Sequence, residues 1–290
     1  MKKVKILTEK DGKTMTSVIL NVTLPALIFK VFSNVEISLS LIFLPFIAIG
    51  HGLIVLSITL LIYRKYSIKN KGLFIMTSIG FNIGLFAYPL IEGIWGTEGM
   101  QYALMFDLGN SFVIFILVYF IGLYFSSKID FNQEKKLILI DILKRILKSI
   151  PLIALISAVI FNILNIQLPI FIVDFLDILS RANIALTLLL LGILFNINFE
   201  KSHWKHVSLT LMIRYILGFI FGIIWLIILP FGIKYNSIIL VVLILPIGMT
   251  AIAFSVEFGY DENVATTMVN LSNIFSFILM WFIVISIGIF

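Results

Sequence analysis

No cysteine occurs among the 290 residues. Disulfides, thiolate metal sites and cysteine nucleophiles are thereby excluded. Histidine is nearly as scarce, with three copies, and charged residues make up only 12% of the chain. A soluble domain holds roughly 25% charged and about 45–50% apolar residues. Here 61% are apolar and the mean hydropathy is +1.14. One core cannot hide that much apolar surface, so the natural solvent is lipid and the expected fold class is an all-α polytopic membrane protein. The opening stretch, "MKKVKILTEKDGKTMT", is charged and lacks an apolar centre, so no signal peptide is expected before the first span.

What is plentiful is long apolar runs. Nine stretches reach the length of roughly 20 residues that a membrane crossing needs: about 16–33, 38–63, 72–94, 100–127, 142–164, 170–195, 206–230, 236–257 and 264–289. We number them one to nine. The net charge of +6 could suggest a nucleic-acid partner, but its distribution argues otherwise. Seventeen of the 21 basic residues fall in the N-terminal tail and in the connections after segments two, four and six, all on one side of the membrane. The positive-inside rule then expects a multi-pass protein of the cell (inner) membrane, with a cytoplasmic N-terminus and the C-terminus outside.

An internal repeat emerges at an offset of 163 residues. Between 96–112 and 259–275, five of seventeen positions are identical: Gly96/Gly259, Met105/Met268, Leu108/Leu271, Asn110/Asn273 and Phe112/Phe275. Asp107 pairs with Asn270, and His51 with Arg214. The offset matches segments one to four with six to nine. Five crossings separate partners, so the halves run in opposite directions, a signature of secondary transporters. The expected units are 1–130 and 137–290. Segment five has no partner; its counterpart would fall at about −21 to 1, so a 5+5 architecture lacks its first helix here. A start assigned too late and a shortened product are both open explanations.

Segments three and eight carry helix breakers at corresponding depths. Residues 80–93, "GFNIGLFAYPLIEG", place Gly80, Gly84 and Pro89 around Asn82; "LPIGMTAIAF" (245–254) places Pro246 and Gly248. Proline removes a backbone donor and glycine loosens the helix. Non-helical backbone at membrane depth persists only when it is packed in protein or lines a wet cavity. Each break also exposes a half-helix N-terminus suited to a carboxylate. Two broken, crossing helices are therefore expected to form a substrate site.

Further polar residues lie inside spans. Asp107 and Asn110 share a face of segment four, and Asn270 and Asn273 the matching face of segment nine. Asp107 is a candidate for coupling or for holding the site in register. Arg214 could pair with Asp107, meet a carboxylate substrate or snorkel to the interface, and His51 could carry a proton. Asp177 and Arg181 are spaced for an i,i+4 ion pair. His203 and His206 find no carboxylate to complete a metal set, and Gly218 and Gly222 have the small-xxx-small spacing of close helix packing. An intramembrane enzyme would need paired acidic metal ligands or a nucleophile with its base. The sequence offers neither, so no enzymatic role, metal or cofactor is expected.

The stretches 5–34, 80–100 and 245–276 resemble the auxin efflux carrier family, whose bacterial members are often described as malate or malonate permeases. The likeness rests on the Asn-x-x-Leu-Pro-Ala-Leu run (21–27), the Asn-x-Gly with proline downstream (82–89) and the Leu-Pro start of segment eight. It implies ten spans in two inverted bundles, with a scaffold that dimerises and a moving transport unit. In this chain the scaffold helices would be about 16–33, 142–164 and 170–195, and the transport helices about 38–127 and 206–289. The crossing would carry Asn82, Pro89 and Pro246. The combined expectation is a secondary transporter of a small organic anion, a mono- or dicarboxylate such as malate. Asn82, Gly84, Pro89, Asn110, Pro246 and Asn273 would hold the solute, and Asp107, Asn270, His51 and Arg214 would couple a proton or sodium or organise the site. A transport-inactive sensor or assembly protein is the alternative.

Overall fold

The computed structural model describes residues 8–33, 35–66, 68–126, 135–194 and 203–288. Among them the regular structure is helical, apart from one isolated antiparallel bridge between Phe81 and Ile247. The chain opens with α1 (Glu9–Val18), which passes through a π turn (Ile19–Thr23) into α2 (Leu24–Phe32). A capping box starts α1: Thr8 accepts the Asp11 N–H while the Asp11 carboxylate accepts the Thr8 N–H at 2.7 Å. Pro25 stands in the first turn of α2. Its missing N–H and its ring both disturb the turn before it, where the helix widens to π geometry.

Next come α3 (Leu39–Ile62) and α4 (Ile68–Ile79). After a break, a π turn (Ile83–Ala87) leads into α5 (Tyr88–Phe112), a second π turn (Val113–Val118) and α6 (Tyr119–Tyr124). The helices α7 (Lys135–Lys148) and α8 (Ile150–Ile163) meet at a 69° bend. Then follow α9 (Ile170–Leu194) and α10 (Trp204–Ile228), the short pair α11 (Ile233–Leu243) and α12 (Thr250–Phe258), and finally α13 (Glu262–Ser286).

The nine segments do not survive as nine long helices. By length and composition, six described helices can cross a membrane, or seven if the bent α7–α8 pair counts as one span. The difference falls at the breakers. Segment three parts at 80–82, and its second half runs on through segment four as one 42-residue stretch, Ile83–Tyr124. Gly96 kinks that stretch with φ 68° and ψ −170°, a backbone state open essentially to glycine alone. Segment eight parts at 244–249 into α11 and α12. At 1.5 Å per residue the eleven residues of α11 reach only about 16 Å, well short of the hydrocarbon core. Hydropathy reads apolar length and is blind to backbone continuity.

Packing joins the helices around a core that α2, α5, α8 and α11 share. α2 lies against α8 and α9, whereas α3 packs on α5 and α10 on α11. The α2–α9 contact is locked by Asp177, which pairs with Lys30 and with Arg181, each at 2.6 Å; the i,i+4 pair is as expected. The α10–α11 contact uses the small residues. A Cβ at Gly218 would lie 2.2 Å from the Leu243 carbonyl oxygen, and one at Gly222 would lie 2.3 Å from Leu240 Cδ1. Backbone cannot step aside as a side chain can. Gly218→Val should therefore sharply reduce monodisperse protein on size exclusion, through an overpacking cost of about 1–3 kcal/mol or more. Gly222→Ala should be milder. Equal, near-native recovery of both variants would show that the helices do not approach this closely.

Candidate functional site

The two breaks meet each other. The Asn82 N–H donates to the Pro246 carbonyl at 2.9 Å, within the bridge that joins Phe81 to Ile247. Backbone groups freed at membrane depth thus satisfy one another, as a medium without water requires. A second layer of side chains holds each strand-like turn. Asn110 on α5 accepts the Phe81 N–H at 3.1 Å and donates to the Phe81 carbonyl at 3.2 Å. On the other half, Ser272 of α13 accepts the Ile247 N–H at 3.0 Å, and Ser276 donates to the Ile244 carbonyl at 2.7 Å.

Arg214 fills the space behind the bridge. It is only 2% exposed. Its guanidinium donates to the carbonyls of Ser78 (2.9 Å), Leu245 (2.9 and 3.1 Å) and Pro246 (3.0 Å), and lies 4.4 Å from the centre of the Phe81 ring. Ser78 lies in the last turn of α4, and Leu245 and Pro246 lie in the break just beyond α11, next to helix ends where dipoles concentrate negative charge. A planar group with five donors suits that convergence better than a point cation. Of the three expected roles, pairing with Asp107 and snorkelling do not occur: among the described residues no carboxylate pairs with Arg214, and its burial keeps it from any interface.

With the two C-terminal ends occupied, the N-terminal ends are left open. Neither the π turn Ile83–Ala87 nor α12 has a side-chain cap, and the first amides of a helix have no acceptor within it. Both ends face one cavity of about 460 Å³, lined there by Asn82, Gly84 and Gly248–Thr250. The Asn82 Nδ2 group is buried and has no hydrogen-bond partner. Asp107 also lines the cavity, fixed by the Tyr88 hydroxyl at 2.6 Å and by Asn110 Nδ2 at 2.9 Å. Leu20, Asn21 and Leu24 also line it, as do Arg145, Lys148 and the start of α8. Open amide donors, the Lys148 side chain and apolar lining are features that can receive a small anion with a short carbon body.

The structure therefore brings Asn82, Gly84, Asp107 and Asn110 to one cavity and sorts the other candidates elsewhere. Pro246 does not line the cavity; its carbonyl accepts from the Asn82 N–H and from Arg214. Pro89 is buried in the first turn of α5, and Asn270 is buried on α13. Asn273 lines a separate apolar groove of about 420 Å³, beside Phe86 and Phe277. The offset of 163 matches Asn273 to Asn110, yet the equivalent structural work falls to Ser272. One residue along a helix is a turn of about 100°, enough to send Asn273 to another face. His51 stacks on Phe81 at 5.6 Å and faces a third, apolar groove of about 520 Å³ between α3 and α10. The rings of His206 and Phe74 stack at 5.3 Å, and no group of three or more metal-ligating side chains gathers among the described residues. Sequence reasoning missed Tyr88 and Thr250. Tyr88 could have been found as the one polar aromatic beside the Pro89 breaker; Thr250 carries no such mark.

Comparison with known proteins gives a family of membrane transporters. The family model described as "Membrane transport protein" matches residues 1–284. An uncharacterized transporter of Methanothermobacter thermautotrophicus is 26% identical over 279 residues, covering 94% of this chain and 88% of that protein. An uncharacterized transporter of Methanocaldococcus jannaschii is 30% identical over 198 residues, which is 65% of this chain and 61% of the relative.

Proposed function

Because the chain belongs to the auxin efflux carrier family of membrane transport proteins, we propose that it carries a small organic anion, a mono- or dicarboxylate such as malate, across the cell membrane by alternating access. One observation carries this reading: two uncapped half-helix N-termini share a single cavity with an unpartnered Asn82 amide. Such ends bind anions through oriented N–H groups and the helix dipole. The antiparallel bridge between the breaks supports halves of opposite direction. The grouping of α2, α8 and α9 supports a scaffold, against which α3–α6 and α10–α13 would move. Arg145 and Lys148 line the same cavity, and under the positive-inside orientation these basic residues would lie on its cytoplasmic side.

Asp107 sets the ionic condition. Two like charges about 5 Å apart repel by roughly 3 kcal/mol at an effective dielectric of 20. A carboxylate solute and an ionised Asp107 in one cavity therefore need a proton or sodium ion between them. Asp107→Asn keeps an acceptor for Tyr88 and removes the charge. Uptake by that variant in proteoliposomes should persist but lose its dependence on an imposed proton or sodium gradient; retained gradient dependence would remove Asp107 from coupling. The reading as a whole is tested by counterflow of radiolabelled mono- and dicarboxylates into proteoliposomes. Saturable exchange of at least one is expected, and folded protein that exchanges none would refute it.

A further inference from the structure

The helix α7 has the sequence KKLILIDILKRILK, and it divides into sectors. Ile138 and Ile142 are buried against the protein. Asp141 and Arg145 face the protein as well: Arg145 donates to Asp141 at 2.9 Å and to Glu257 of α12 at 2.6 Å, and the Tyr119 hydroxyl donates to Asp141. A third sector holds Leu139, Leu143 and Leu147, spaced i, i+4, i+8, and they are 61%, 50% and 70% exposed. Beside this stripe stand Lys144 and Lys148, both exposed. The one acidic residue of the helix, Asp141, is half-exposed but paired with Arg145 and Tyr119, so the leucine stripe is flanked by Lys144 and Lys148 and by no unpaired carboxylate of α7.

The direction of α7 fits this division. The 69° bend takes it most of the way from the α8 axis toward the perpendicular, with Pro151 in the first turn of α8 where its missing N–H is harmless. A helix lying in the membrane plane, with leucines on one side and lysines at the rim, has the form of an interfacial amphipathic segment. We propose that α7 is an anionic-lipid-binding helix: it lies in the bilayer interface with Leu139, Leu143 and Leu147 among the acyl chains, and Lys144 and Lys148 hold the headgroups of acidic phospholipids. Arg145 and Lys148 also line the cavity, and Arg145 ties α7 to α12 through Glu257. Lipid binding would therefore fix a helix whose side chains line the proposed solute cavity. This surface is independent of which solute is carried.

The absence of cysteine makes the test clean. A bimane fluorophore is attached to Leu143→Cys in the full chain, which is then reconstituted in vesicles of phosphatidylcholine and phosphatidylglycerol. Acyl chains are brominated in one lipid or the other. Quenching by brominated chains is expected, with brominated phosphatidylglycerol more effective by about fivefold for each lysine near the surface. The preference should fall toward one in Lys144→Gln/Lys148→Gln, two exposed positions whose replacement leaves the buried face of α7 intact. No quenching by either lipid, or self-quenching of the label from a second copy over the stripe, would overturn the placement. Equal quenching by both lipids in the unaltered lysine background would overturn the anionic preference.

Discussion

Replacing Arg214 with methionine should leave almost no folded, transport-competent protein. The side chain is nearly isosteric along its stem and would still fill space. What disappears is the set of donors to the Ser78, Leu245 and Pro246 carbonyls. Each hydrogen bond to a charged group is worth about 1.5–3 kcal/mol in soluble proteins. Interhelical bonds within membranes average nearer 0.6 kcal/mol, but here the removed partner leaves two half-helix ends orphaned at once. A combined loss of at least about 3 kcal/mol is a large share of a total stability of roughly 5–15 kcal/mol. Thermal midpoints in detergent, followed by size exclusion, should fall steeply, and Arg214→Lys should rescue only part, since three donors on a point charge cannot span both breaks. A wild-type midpoint in Arg214→Met would mean that the crossing is held by the backbone bridge alone.

Asn82→Ala should behave in the opposite way, with transport lost and stability kept. The structural link at this position is the backbone N–H to Pro246, which alanine preserves. The side-chain Nδ2 has no hydrogen-bond partner within the protein, so its removal costs the folded state little. Against a bound carboxylate it would make a charge-assisted bond, and its loss should lower apparent affinity about 10–100-fold. Asn110→Ala provides the contrast. It strips both the Phe81 N–H and carbonyl of their partners, so uptake and thermal midpoint should fall together. If Asn82→Ala transports at the wild-type concentration dependence, this amide is not in the solute site.

The comparison of these two asparagines also shows what a sequence can and cannot carry. Gly80, Gly84 and Pro246 announced the breaks because glycine and proline alter a helix wherever they stand. Asn82, Asp107 and Asn110 announced themselves because polar groups in a span need a reason. All of that is local. That the breaks face each other, and that Arg214 on α10 supplies both with donors, depends on contacts across 136 and 31 residues of chain. No local pattern reports those contacts. The repeat offset pointed to Asn273 but not to Ser272, because matching of residue types is coarser than the 100° turn between neighbours on a helix. The amphipathic α7 was divided between a polar connection and the start of segment five, since its leucine and lysine sectors average out in a hydropathy window.

Thiol protection gives the most direct test of where the solute sits. Three single variants, Gly84→Cys, Thr250→Cys and Asn273→Cys, are reconstituted and labelled with a water-soluble thiol reagent, with and without a transported carboxylate. A Cβ at Gly84 meets its nearest neighbours, Leu24 Cδ2 and Tyr88 Cε2, at 3.5 and 3.9 Å, so the site accepts a side chain. An anion held between the two half-helix N-termini slows labelling at 84 and at 250 together and leaves 273 unchanged. Protection at 273 alone, or equal labelling at 84 and 250 with and without solute, would place the anion elsewhere.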